Sequence, residues 1–165
     1  SSVNVGQGYE HKRFTPPSLK DMYATVNYVE EIDTPESKAF VERFHAMFPD
    51  EPYINQEAEN SYAAVYLYKE MVEKAGGSTN IDDVRATLAD GNLCYDAPEG
   101  KMCIDPKSQH TSHTIYLAHV DADHAIDFPT TWDDIKPYWL GDVGCDLTAE
   151  DPSAQYTPSS LPPAK

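Results

Sequence analysis

Residues 56–77, QEAENSYAAVYLYKEMVEKAGG, constrain the fold more than any other stretch of this 165-residue chain. Ala58, Tyr62, Val65, Tyr68, Val72 and Ala75 recur at steps of three and four, the repeat of one covered face of an α-helix. Glu57 and Glu59 in the opening turn complement the positive end of the helix dipole. Lys69 and Lys74 lie toward the other end, and Gly76 and Gly77 supply a stop. A helix of this kind needs a surface to lie on.

The flanking chain does not obviously provide one. Residues 1–19 mix Gly6, Gly8, Pro16 and Pro17 without a sustained period and read as irregular. Ala24 to Val29 is a candidate strand. Thr34 and Pro35 read as the N-cap and first residue of a helix whose apolar stripe is Phe40, Phe44, Met47 and Phe48, ended by Pro49 and Pro52. Asn80 starts a third helix with Ile81, Val84 and Leu88 on its apolar face. Beyond Gly91 the texture turns to β: Lys101–Ile104 and Thr114–Val120 read as strands, and a turn at Asp121–Asp123 joins the second to HAIDF as a hairpin. From Pro129 the chain is rich in Trp, Pro and Ser and reads as an extended tail. Three amphipathic helices followed by so few strands imply that this chain alone does not complete a core.

Charge narrows the partners. With 28 acidic and 12 basic side chains the formal charge is −16, which repels phosphate backbones and anionic lipid surfaces, so nucleic acid is excluded as a partner class. No apolar run approaches the ~20 residues that cross a bilayer, and SSVNVGQGYEHKR has no apolar signal core. The sequence therefore reads as soluble, with no membrane insertion.

Chemistry-bearing motifs are sparse. No GxSxG and no locally activated Cys is present, and Gly6 and Gly8 lack the third glycine of a dinucleotide fingerprint. Of six histidines, His110 and His113 lie three apart, and His119 and His124 bracket the hairpin turn, without the helical spacing or closed ligand set of a metal site. No metal, cofactor or catalytic residue is expected. Cys94 and Cys103 flank a turn-like segment with a spacing compatible with a small disulfide loop, while Cys145 is left over as a free thiol or as half of an external bridge. The more informative cluster is Tyr53, Asn55, Glu57, Glu59 and Tyr62, where a polar loop feeds the central helix. Such groups suit a pocket for a small amine- or amide-bearing ligand, but on residue types alone ordinary helix capping and surface chemistry is the stronger reading.

The run NYVEEIDTPESKAFVERFHAMFPDEPYINQEAENSYAAVYLYKEMVEKAGG, then IDDVRATLADG, then DAPEGKMCIDPKSQHTSHTIYLAHVDADHAIDF, resembles the type I periplasmic binding proteins of the branched-chain amino acid, urea and short-chain amide group. The likeness spans Met22 to Phe128. It implies an α/β fold: the carboxyl-terminal part of a two-lobed clamshell, with helices from one lobe and a β-hairpin from the other. On this reading residues 1–26 lead in from the second lobe, 27–92 serve the first lobe, 93–129 return to the second, and 130–165 form the Pro-rich tail. The parallel strands that the helices should cover then lie in an amino-terminal half that this sequence lacks, supplied by the same or another chain. The implied function is non-enzymatic capture of a small polar nitrogenous solute (an amino acid, urea or short-chain amide) for an ABC permease, in the periplasm or outside the cell. A ligand-sensing regulator and a structural interaction module are the alternatives. Carried residue by residue, the resemblance puts Tyr28 at the family's NY step, and Glu59 and Tyr62 at its ExxY step; with Glu57 they are the expected ligand-binding residues. The cysteines and the tail from Trp132 depart from the family pattern.

Overall fold

The computed structural model describes residues 9–142 and 144–148. In chain order the elements are α1 (Glu10–Arg13), β1 (Met22–Val26), α2 (Pro35–Met47), α3 (Gln56–Lys74), α4 (Ile81–Ala86), β2 (Cys94–Ala97), β3 (Gly100–Cys103), β4 (His113–Val120), β5 (Ile126–Ile135) and α5 (Tyr138–Asp142). Gly6, Gly8 and residues 149–165 of the Pro-rich tail lie outside the described residues.

Local signals set the helix starts. Thr34 Oγ1 accepts the Ser37 N–H at 3.0 Å, with Pro35 at the first helical position, where its missing N–H costs nothing. Asn55 Oδ1 accepts from Ala58 N at 3.0 Å and Asn80 Oδ1 from Asp82 N at 2.9 Å, so each of the longer elements of the helical half begins on a side-chain cap. Helix α3 ends at Lys74, and Gly76 and Gly77 carry the chain away with positive φ of 68° and 84°.

The strands form two antiparallel sheets, β1-β4-β5 and β2-β3. On β4, Thr114, Tyr116, Ala118 and Val120 are buried and the residues between them are half-buried, the period-two pattern of a strand covered mainly on one face. The β4–β5 hairpin turns where the sequence predicted, with Asp121 Oδ1 accepting from Asp123 N and Ala125 N. Strand β5, however, continues through Thr130 and Trp132 to Ile135, past the boundary at residue 129. β-Branched and aromatic side chains carry it on as a strand although most are exposed. The β2–β3 hairpin turns through Pro98 and Glu99. At Gly100, φ is +129°, and an added Cβ would meet Thr114 Oγ1 at 2.5 Å, so only glycine fits. A disulfide joins Cys94 to Cys103, directly opposite each other in this ladder; Cys145 is free.

Two apolar clusters result. The larger joins β1 and β4 to the connection after β1 and to α2: Val26, Tyr28, Val29, Ile32, Phe40 and Ile54 are among its buried members. The smaller sets Ala63 and Leu67 of α3 against Ala97 and Met102 of the β2–β3 hairpin. This corrects the stripe read from sequence. The inward face of α3 is Glu59, Ala63 and Leu67, whereas Ala58 is exposed, Val65 is 66 % exposed and Tyr68 is 51 % exposed. The periodic stripe is real but sits one residue, about 100°, round the helix from the buried one. A carboxyl at the head of the inward row hid that row from a search for apolar residues.

Candidate functional site

Two passes of chain, tied to each other by side-chain hydrogen bonds, link the strands to the helices. The first, Asn27–Ile32, leaves β1 and is almost wholly buried: Tyr28 is 0 %, Val29 1 % and Ile32 3 % exposed. The second, Leu93–Glu99, contains β2 and its turn, with Leu93, Ala97 and Glu99 at 1 % exposure or less. Both are cross-tied by polar groups, as buried polar atoms require. Asn27 donates its side-chain amide to Asn60 Oδ1 at 3.0 Å and, in a very short contact, to Glu99 Oε2. His113 Nδ1 lies 2.8 Å from Glu99 Oε1, and Tyr116 OH donates to the Glu99 carbonyl at 2.8 Å. Thr34 Oγ1 donates to the Pro98 carbonyl at 3.2 Å, tying the start of α2 to the second pass.

The first pass is also clamped at its far end. Glu30 Oε1 accepts from Ile54 N at 2.5 Å and lies 2.9 Å from His45 Nε2. The neighbouring Glu31 turns the other way, to His11 at 2.9 Å, Lys12 at 3.2 Å and the Tyr53 hydroxyl. Burial alone would raise the Glu31 carboxyl, but the hydrogen bonds from His11 and Tyr53 outweigh it and hold the pKa at about 2. Burial, reinforced by Glu31, raises the Tyr53 phenol. Burial likewise raises that of Tyr28, which sits 3.3 Å from Ser37 Oγ.

On the α2/α3 side of these passes lies a groove of 300 Å³ lined by Pro35, Glu36, Arg43, Tyr62, Tyr95 and Asp96, among others. Arg43 Nη2 donates to Tyr62 OH at 2.8 Å. Tyr66 stacks on Tyr95 with ring centroids 4.9 Å apart and planes 10° apart, continuing an aromatic wall from Tyr62. One guanidinium, two phenols and two carboxylates thus face a single small concavity.

The four expected ligand-binding residues are placed unequally. Tyr62 lines this groove and is half-buried. Tyr28 and Glu59 are fully enclosed by this chain, and Glu57 stands exposed on the opening turn of α3. Sequence reading missed Arg43, Tyr95, Asn27 and Glu99. Only Arg43 left a trace, a cation interrupting the Phe40–Phe44 stripe in a chain with 12 basic residues.

The histidines have local partners: His119 Nδ1 meets Asp127 at 2.8 Å and stacks on Tyr23, and buried His124 accepts the Leu19 N–H at 3.0 Å. Among the described residues no group of three or more His, Cys, Asp or Glu side chains could hold a metal ion. No helix of the described residues is long and apolar enough to cross a membrane.

Residues 2–137 match the family described as "Periplasmic binding protein domain". A Leu/Ile/Val-binding protein homolog from Brucella abortus is 28 % identical over 96 residues, which are 58 % of this chain and 24 % of that protein. Among solved structures, an ABC-transporter solute-binding protein of Rhodopseudomonas palustris in complex with p-hydroxybenzoic acid superposes with a TM-score of 0.64 at 21 % identity, covering 74 % of this chain and 34 % of that one. The leucine-, isoleucine-, valine-, threonine- and alanine-binding protein of Brucella ovis, in a closed conformation, gives 0.59 at 13 % identity, covering 72 % and 33 %. The chain therefore spans a quarter of its curated relatives and a third of these structural ones. By fold and by the family match over most of its length, this chain belongs to the periplasmic binding proteins.

Proposed function

We propose that this chain is the carboxyl-terminal part of the substrate-binding component of an ABC-type transporter, and that it captures a small polar nitrogenous solute by closure of two lobes. The observation that carries the reading is the groove beside the two buried passes. A guanidinium next to carboxylates and phenols suits a ligand that bears both a carboxylate and an amine or amide. Tyr62 is the direct contact on this reading, Tyr28 and Glu59 support it from within the core, and Glu57 lies on its approach. The two passes act as hinge strands, with 27–92 serving the first lobe and 93–129 the second. No covalent chemistry is involved.

The amino-terminal half of the fold is the implied partner within the protein, and an ABC permease the partner outside it. An apolar groove of 470 Å³ between α2 and α3, lined by Phe40, Phe44, Met47, Phe48, Tyr62 and Tyr66 among others, gives that half a surface to cover. The Cys94–Cys103 bridge favours an oxidising compartment, the periplasm or outside the cell, over a cytoplasmic ligand sensor.

The test is calorimetry on the complete protein against branched-chain amino acids, urea, short-chain amides and hydroxybenzoates. Binding to a nitrogenous solute that weakens at least tenfold in Arg43→Ala supports the reading. Binding of hydroxybenzoates alone would replace the ligand class, and affinity indifferent to Arg43 and Tyr62 would move the site elsewhere.

A further inference from the structure

Glu59 on α3 and Glu99 in the β2–β3 turn are both fully buried, and they meet: Glu99 N donates to Glu59 Oε1 at 3.4 Å. Their hydrogen bonding is lopsided. Glu99 has both oxygens engaged: Oε2 accepts from the Asn27 amide, and Oε1 lies 2.8 Å from His113 Nδ1. Glu59 has that one long backbone contact, no cation within ion-pair distance among the described residues, and a second oxygen, Oε2, that is buried without any partner. We propose that the two carboxyl groups hold a single negative charge between them, with the proton on Glu59, where α3 packs on the β2–β3 turn.

The chemistry follows from burial. An uncompensated carboxylate in an apolar site is strongly disfavoured, and a second one beside it adds repulsion, so one of the pair takes up a proton. The groups near Glu59 do not change this: they are the Glu99 carboxyl and the phenols of Tyr28 and Tyr116, and His113 is bonded to Glu99 and, through its other nitrogen, lies 2.8 Å from Thr111 Oγ1. Burial first and the Glu99 charge second push the Glu59 carboxyl up to about 8. This enclosure is produced by the described chain alone, so a further domain can only deepen it. The inference rests on this packing and is independent of the ligand reading.

The sign is opposite to that of an ordinary ion-paired carboxylate. The folded chain keeps a proton that the unfolded chain releases near the usual carboxyl value of 4.5, so stability from this group is lost as pH rises from there toward about 8. Across the middle of that window the folding equilibrium constant falls about tenfold per pH unit.

The experiment is infrared spectroscopy of the complete protein labelled with carboxyl-¹³C glutamate, together with urea unfolding across the same pH range. The expected result is a protonated-carboxyl band at pH 7 that disappears as pH rises, is absent in Glu59→Gln, and in Glu99→Gln is lost at lower pH because the neighbouring charge is gone. Glu59→Gln, which mimics the protonated group, should also remove the tenfold-per-unit slope. A wild-type protein with no such band at pH 7 overturns the proposal. So does a band whose pH of loss is unmoved in Glu99→Gln, a result readable even if Glu59→Gln fails to fold.

Discussion

The two faces of α3 are arranged the wrong way round for a surface helix. Its inward face leads with a carboxyl, Glu59, at 0 % exposure, while Val65 and Tyr68 on the outward side stand in solvent at 66 % and 51 %. Ordinarily apolar side chains go in and carboxyls go out. The difference teaches that the two faces serve different contacts. The inward face is finished by this chain, through Ala63 and Leu67 on the hairpin and Glu59 on the Glu99 turn. The outward face is left in solvent, and beside it Ala58, Tyr62 and Tyr66 of α3 join α2 in lining the 470 Å³ apolar groove.

Substitutions on the two faces should therefore behave in opposite ways. The largest effect is expected on the finished side: Leu67→Ala removes a buried side chain and should cost about 2–5 kcal/mol in urea unfolding of the complete protein. Close behind, replacing Cys94 and Cys103 by Ser frees a loop closed over a sequence separation of 9 and should cost about 2–3 kcal/mol, with the same loss on reduction of the wild type. A result near zero for either would mean that the hairpin is not what α3 rests on.

Two smaller effects sharpen the picture. Glu31, held at about 2 by His11 and Tyr53 against the pull of burial, contributes stability that is present above 4.5 and lost as pH falls toward 2. Glu31→Gln should flatten this acid limb by on the order of 2 kcal/mol while leaving the alkaline behaviour of Glu59 untouched, separating the two clamps by pH. Thr34→Ala, which loses the α2 cap and the tie to Pro98, should cost about 1 kcal/mol. Smallest of all, Val65→Ser should change the stability of this chain alone by less than about 0.5 kcal/mol. In the complete protein the same change should cost more if that side is covered there; equal costs in both settings would mean that the outward face has no partner.

What was legible in the sequence is what local chemistry decides. Thr34, Asn80 and the Asp121–Asp123 turn work through atoms two to four residues away, and each does in the structure what its residue type prescribes. The family likeness was legible because motif order survives over a hundred residues. The buried face of α3 was not, because a carboxyl heads it and a more apolar row lies beside it. Nor was the crossing: Asn27, Glu59, Glu99 and His113 meet only after four separate elements have packed, and nothing near any one of them in sequence announces the others. The disulfide lay between, since the spacing of Cys94 and Cys103 allowed it but only the hairpin register brings their Cα atoms to 4.1 Å.

That cross-link has a mechanical consequence. A two-stranded ribbon on its own frays and twists easily, but one stapled at its open end by Cys94–Cys103 and pinned at its closed end by Glu99 and Gly100 against β4 behaves as a short strut. If the lobes rock, such a strut transmits the rotation instead of absorbing it. On the two-lobe reading proposed above, bending would fall instead on the pass at Asn27–Ile32, which is held by hydrogen bonds and ion pairs and carries no covalent cross-link.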